Sequence, residues 1–397
     1  MCQWVIATAL TGLEVSDRTA AAVQHRLMAF LRNLAVLGAG LLMLSPLSAC
    51  AQPAPGHLMD PELVTDRIHV MRQPDRIWSA VIGNVTIVEQ SDGVVLIDSG
   101  GTLADGKQVA AAVRSLTSKP VKAVAITHWH NDHPLGVRGI LAEWPRARII
   151  ATEAAKKRMI EVMGKNVGVG RNDPTLDTAR LNSGHARIAE YEANSRDPKL
   201  SEEERREFAA DARYMKERLA EQMGAYIVLP TETFRDRLAI GDSEAPVELL
   251  VLGRANTDGD LVAWMPRQKV VATGDAVVAP TPYGFNSYPA HWIAVLEKIK
   301  ALGFARLIPG HGAVQADTAY VDRLIGSLRD VRAQVAPLAA QGLSLDDVRK
   351  NVDYEAQKRL FAGDSAWARR WFEGYWLEPI TSSAWREAKG IPIEPGG

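Results

Sequence analysis

The sequence predicts an α+β fold in which two layers of β-sheet are covered by helices. Three observations carry that expectation. Short apolar, β-branched runs, such as Val121-Lys122-Ala123-Val124-Ala125-Ile126, are interspersed with stretches of helical periodicity. At 397 residues, 47% hydrophobic and 23% charged, the chain is long enough for a large core and one or two domains. A dense cluster, Thr127-His128-Trp129-His130-Asn131-Asp132-His133, lies where one of the apolar runs ends and a helical stretch begins. Carboxyl ends of strands are where open α/β folds place their chemistry.

The first fifty residues read as a leader rather than as part of the fold. Residues 28–50 carry Arg32, an apolar run over 34–44 and then Leu47-Ser48-Ala49-Cys50. That is signal-peptide architecture, and the apolar run is too short to span a bilayer. Leu-Ser-Ala-Cys resembles the bacterial lipoprotein box, which implies a lipidated Cys50 and membrane attachment. A cut before Gln52, giving a soluble secreted form, is the other reading. Residues 1–27 lack an apolar run, and Met28 is a second candidate start. Export to the periplasm is the expected localisation. Residues 51–66, with Pro53, Pro55, Gly56 and Pro61, read as a tether.

Strands are expected at 67–71, 84–90 and 94–97, the last running into Asp98-Ser99-Gly100-Gly101. A helix over 104–116 places Val109, Val113 and Leu116 on one face. After the strand at 121–126 and the cluster, Pro134 opens a helix over 135–144, and a strand follows at 147–151. Residues 153–224 break the pattern. They are charged and helical, with a capping box at Ser201 and Glu204 and a stripe of Phe208, Ala212, Met215, Leu219 and Met223. This insertion reads either as helices packed on the main body or as a lid or dimer contact. Strand signals resume at 233–240, 247–252, 261–265 and 269–273, and a helix over 290–302 follows. The chain after 316 is helical and rich in tryptophan (Trp367, Trp371, Trp376, Trp385), a composition expected for core.

Charge and cysteine content narrow the function. The formal net charge is −1, so nucleic acid is not expected as a partner and a small-molecule substrate is. The only cysteines are Cys2 and Cys50, so the body has neither disulfide nor thiolate. A metal would be held by nitrogen and oxygen alone. Three of the nine histidines fall between positions 128 and 133, together with Asp132. Imidazole and carboxylate are the usual ligands of a hydrolytic zinc ion. Two later glycine-loosened turns, Thr273-Gly274-Asp275 and Pro309-Gly310-His311-Gly312, also follow apolar strands and offer further ligands.

With Leu96-Ile97-Asp98-Ser99-Gly100 and the His-x-His-x-Asp-His run, these turns stand in the order found in the metallo-β-lactamase-fold hydrolases, which the chain resembles from about 82 to 312. The resemblance implies a four-layer αββα sandwich over 67–316, with a helical insertion at about 153–224 and a helical C-terminal extension over 317–397. It implies one or two zinc ions. His128 and His130 would hold one, Asp132, His133 and His311 the other, and Asp275 would bridge them. Asp98 would orient the ligands rather than bind metal; capping a turn is its other reading. The family usually supplies a further histidine where this chain has Asn256, a weaker ligand, so the first site should bind less tightly. His185 and His291 are candidates to compensate. His57 and His69 read as incidental. Trp129 walls the pocket or packs outward. The 280–289 loop, with Tyr283, Asn286 and Tyr288, lines the pocket or is a turn packed by its tyrosines.

The implied activity is attack of metal-activated water on a carbonyl ester, lactone, thioester or cyclic amide, with Asp132 as ligand and proton acceptor. A metallo-phosphodiesterase or sulfatase is the second reading. A metal-binding module with an eroded site is the third.

Overall fold

The computed structural model of the protein describes residues 57–393. The expected leader, with Met28 and Cys50, lies outside the described residues, as does the first part of the expected tether.

Twelve strands form two sheets. In the first, β1 (Glu62–Thr65), β2 (Ile68–Met71), β3 (Val85–Glu89) and β4 (Val94–Ile97) run antiparallel in order. From β4 onward the sheet turns parallel through β5 (Val121–Ala125), β6 (Arg148–Thr152) and β7 (Glu232–Phe234). The switch follows from the connections: a helical crossover joins β4 to β5 and another joins β5 to β6. The second sheet has the order β12 (Arg306–Ile308), β11 (Val270–Ala272), β10 (Val262–Met265), β9 (Val247–Leu250), β8 (Arg237–Ile240). Its only parallel pair among the described strands is β11 with β12.

Three cores stack these layers. Val95 and Ile97 of β4 meet Ala263 and Met265 of β10 between the two sheets. Val94 and Leu96 point the other way, onto α1 (Leu103–Leu116) and α2 (Val137–Glu143), through Val109, Val113 and Ile140. Val262 and Trp264 face α7 (Pro289–Ala301) and α8 (Ala319–Ala340), through Trp292, Leu296 and Leu324. Both faces of these strands are buried, so they read as continuous apolar runs rather than as an alternation. The four-layer αββα sandwich expected from the resemblance is the observed fold.

The insertion comprises α3 (Glu153–Arg158), a π-helical turn (Met159–Met163), α4 (Gly164–Val167), α5 (Pro174–Asn194) and α6 (Glu202–Glu221). The Ser201–Glu204 capping box is present. Beyond α8 come α9 (Leu345–Asn351), α10 (Glu355–Ala362), α11 (Ala366–Phe372), a second π-helical turn (Glu373–Leu377) and α12 (Glu378–Lys389). The insertion is stapled to this region. Glu203 accepts from Ser365 Oγ at 2.6 Å, Glu204 pairs with Arg370 at 2.7 Å, and Tyr191, Phe208 and Trp367 share a small core. No described helix is long and apolar enough to cross a membrane.

Three expectations need correction. Residues 62–65 belong to the sheet rather than to a tether, held by backbone pairing to β2 despite their exposure. The single strand expected at 233–240 is two, since Arg235 and Asp236 carry the chain from the first sheet to the second. The helix expected from 135 begins at Val137, because residues 131–136 are spent in turns. Gly136 in that turn presses on the Ser99 carbonyl, which a Cβ would meet at 1.8 Å.

Candidate metal centre

Four strand ends converge at one edge of the sandwich. β4 ends in Asp98, β5 leads into 127–133, β11 runs into the short 3-10 turn Gly274–Ala276 that carries Asp275, and β12 leads to His311. The turns are tied to one another by backbone bonds. Gly310 N donates to Gly274 O and Val277 O, both at 2.9 Å, and Asn84 N donates to Gly310 O at 2.7 Å. Gly83 N donates to Asp132 O at 3.0 Å. Close approach demands glycine twice here. A Cβ on Gly83 would lie 2.5 Å from the His133 ring, and one on Gly310 would lie 2.0 Å from Asp275 Oδ1.

Six ionisable residues named from the sequence are brought together in two groups, His128 with His130 and Asp275, and Asp132 with His133 and His311. Within each group the ligand-type atoms lie within 4.8 Å of one another. Asp275 joins the groups: Oδ2 is 3.5 Å from His128 Nε2, while Oδ1 is 3.3 Å from both His133 Nε2 and His311 Nε2. Asp132 Oδ2 is 3.2 Å from His311 Nε2. Asp98 sits one layer behind. Its carboxylate accepts from Thr127 N, from Thr127 Oγ1 and from His133 Nδ1, each at 2.8 Å. Asp98 holds φ at +63°, a left-handed value that costs a non-glycine residue strain.

This wiring sets tautomers. Thr127 gives its hydroxyl proton to Asp98, so at 3.0 Å it accepts from His128 Nδ1. His128 Nε2 then turns a lone pair toward His130 Nδ1, 2.9 Å away, and toward Asp275. Burial, then the charge of His133, drive the His128 pKa well below its ordinary value, so its imidazole is neutral. Burial opposes protonation of His133 too, but Asp98, Asp132 and Asp275 outweigh it and raise that pKa well above the usual range. Burial is likewise outweighed at His311, where Asp275 and Asp132 raise the pKa to about 9. Asp275 is held well below the carboxylate range, burial being overcome by His311, His133 and His128.

The donors fit a bound cation. His133 Nε2 and Asp275 Oδ1 are buried and 3.3 Å apart, yet neither makes a hydrogen bond. Buried polar atoms left unpaired are costly, and an ion between them would satisfy both. Imidazole nitrogen with carboxylate oxygen suits a divalent transition metal.

Asn256 is buried and is linked to this cluster through Tyr283, whose ring centroid lies 5.6 Å from that of His130. Its Nδ2 donates to Tyr283 O at 2.8 Å and its Oδ1 has no partner. The loop that carries it is pinned by Asp260, which takes the backbone N–H groups of Ala255 and Thr257. Burial raises the Asp260 pKa to about 7. Neither candidate for compensation joins the cluster. His185 is exposed, and His291 pairs with Arg254 at 3.1 Å. His57 is not incidental, since it bonds Glu221 of α6 at 3.0 Å, whereas His69 sits across from Glu89 at 3.6 Å in the first sheet. Trp129 belongs to the core between sheet and helices and also lines the pocket.

The cluster opens into a cavity of about 420 Å³, walled by Trp129, Tyr283 and Phe285. A second cavity of about 520 Å³, lined by Trp78, Ile82 and Phe361, shares Val81, Val278, Thr281, His311 and Tyr375 with the first. The sequence did not single out Met163, Asn166 and Arg187 of the insertion or Tyr375 of the C-terminal region, all of which line the first cavity. Met163 and Tyr375 each sit in one of the two π-helical turns, a distortion often found at functional sites. Only the helical insertion reading hinted at this, because no local pattern marks these residues.

The fold and cluster define a metallo-hydrolase scaffold, and the chain belongs to the metallo-beta-lactamase superfamily, whose family model matches residues 78–311. A linear primary-alkylsulfatase of Pseudomonas sp. (strain ATCC 19151) is 25% identical over 281 residues, 67% of this chain and 49% of that protein. The chain thus spans about half that relative's length. An alkyl/aryl-sulfatase of Saccharomyces cerevisiae (strain ATCC 204508 / S288c) is 33% identical over 81 residues, 20% of this chain and 12% of that one. Among solved structures, the stereoselective inverting sec-alkylsulfatase Pisa1 from Pseudomonas sp. has a TM-score of 0.55 at 16% identity, over 83% of this chain and 50% of that one. A double mutant of the sec-alkyl sulfatase PisA1 has a TM-score of 0.56 at 14% identity, with the same coverage of 83% and 50%. These structural likenesses speak to the fold.

Proposed function

We propose that this chain is an exported, zinc-dependent hydrolase of sulfate esters carried on an apolar stem. The observation that carries the reading is a six-residue imidazole and carboxylate cluster that opens into a largely apolar cavity beside a second one. An ester with a polar head and an apolar tail fits that shape. The alkylsulfatase likeness over 67% of the chain supports it. It also moves the sulfate ester ahead of the carbonyl esters, lactones, thioesters and cyclic amides expected first from the sequence. Convergence of all six ionisable ligand-type residues weighs against an eroded binding module. Export rests on the leader-like segment at 28–50, and zinc on a donor set of nitrogen and oxygen.

His128, His130 and Asp275 would hold one ion, and Asp132, His133 and His311, with Asp275 shared, the other. Bound zinc would supply a Lewis acid and a water acidic enough to ionise near neutral pH. Asp98 keeps the Nδ1 proton on His133 and so aims Nε2 into the site. Asp132, 16% exposed at its side chain, is the carboxylate placed to take a proton from the attacking water. Burial, then Asp132 and Asp275, push the Tyr283 phenol up, so it stays protonated and can donate to a substrate oxygen. Trp129, Phe285 and Tyr375 keep bulk water from the stem.

The test is sulfate release from octyl and dodecyl sulfate, run beside a nitrophenyl acetate, a lactone, a cephalosporin and bis-nitrophenyl phosphate, with and without chelator. Chelator-sensitive sulfate release, restored by zinc, is expected. Turnover of an acyl substrate or the phosphodiester with no sulfate release overturns the proposal.

A further inference from the structure

We propose that Arg187, on α5 of the insertion, holds the anionic head group of the substrate. The sulfate identity of that anion rests on the function proposed above; the anion site does not. Arg187 is the one lysine or arginine among the residues lining the metal-side cavity. Neighbouring arginines are engaged: Arg76 with Glu207 and Asp211, Arg370 with Glu204, and Arg218 with the Tyr214 hydroxyl. Arg187 makes no ion pair or hydrogen bond among the described residues. Arg187 is exposed, and the face of α5 that carries it is set by its neighbour one turn on. Tyr191, on the same face of α5, is buried against Phe208 of α6 with ring centroids 5.4 Å apart. That contact sets the rotation of α5 and leaves Arg187 at the cavity, beside Tyr375.

The chemistry asks for such a group. Asp132 and Asp275 in the cavity repel an anion where no ion is bound, and bound ions would attract it without fixing how its oxygens are turned. A sulfate monoester spreads one charge over three terminal oxygens. A guanidinium fork can pair with two of them while the third and the bridging oxygen face the cluster. A neutral ester gains nothing from it. Arg187 is therefore a specificity-determining residue that the insertion contributes to a site built by the sandwich.

Calorimetric titration of the full chain with 1-octanesulfonate, a non-hydrolysable anion, and with 1-octanol tests this. Wild type, Arg187→Ala and Arg187→Lys are compared, with thermal unfolding as the control for folding. In Arg187→Ala the sulfonate affinity should fall about 10- to 100-fold, with no comparable loss for octanol and partial recovery in Arg187→Lys. Equal sulfonate affinity in Arg187→Ala and wild type overturns the proposal. So does an equal loss for both ligands, or a wild type that binds sulfonate no better than octanol. Arg187-dependent sulfonate binding in a wild type that releases no sulfate would remove the sulfatase reading and keep the anion site. Sulfate release with an unchanged KM in Arg187→Ala would do the reverse.

Discussion

The Asp98 carboxylate lies 2.8 Å from His133 Nδ1, and through that contact the end of β4 decides which nitrogen of His133 faces the cluster. Both partners are almost wholly buried, at 2% and 0% exposure. Asp98→Ala leaves Thr127 N, the Thr127 hydroxyl and His133 Nδ1 without their acceptor. Zinc affinity of the purified protein should fall about 10- to 100-fold, read by competition with a chromophoric chelator. Unchanged affinity would reduce Asp98 to a turn cap.

Metal loading should release protons. In the metal-free protein the His133 pKa is raised well above its ordinary value and that of His311 is raised to about 9, so both are charged at pH 7. A ligand imidazole must be neutral, so apparent zinc affinity should rise with pH throughout the range below about 9. His133 and His311 should give the metal-free fold the opposite trend, against which the lowered pKa values of His128 and His130 work. Raised histidine pKa values stabilise it fully below about 6.5, and that stability is lost as pH rises through about 9. Titration calorimetry in buffers of different ionisation enthalpy measures the protons directly. Zero net release would contradict the charge states described here.

Asn256 spends Nδ2 on Tyr283 O, which leaves its buried Oδ1 without a hydrogen-bond partner. Asn256→His replaces an amide oxygen with a stronger nitrogen donor. Zinc content by elemental analysis should rise from about one toward about two ions per chain. No change in stoichiometry would place Asn256 outside the ligand set.

Gly310→Ala tests the crowding behind Asp275. The added Cβ would lie 2.0 Å from Asp275 Oδ1 and 2.6 Å from the Gly274 carbonyl carbon. Overpacking of this kind costs about 1–3 kcal/mol. The variant should melt lower than wild type and gain less thermal stability when zinc is added. Equal gains in the two proteins would mean that Asp275 tolerates displacement.

Much of the candidate site was legible in the sequence because its ligand-type residues travel in short motifs. Asp98, the 127–133 run, Asp275 and His311 each follow a buried apolar strand within a few residues, so pattern and chemistry coincide locally. The sandwich was legible for the same reason, since strands such as β4 and β10 are buried on both faces and read as unbroken apolar runs.

Tertiary structure alone decided the rest. Residues 233–240 look like one strand because alternation is the same in either sheet, and only packing shows where Arg235 and Asp236 change layers. β1 exists through backbone pairing to β2, which leaves no mark on side-chain pattern. Arg187 and Tyr375 reach the cavity because α5, α6 and α11 share a core of Tyr191, Phe208 and Trp367, and Met163 because its turn packs on the first sheet, contacts between residues far apart in the chain. Local sequence determined the ligand-type residues and the layers. The walls and the free cation of the pocket were set by long-range packing, which no short window of sequence encodes.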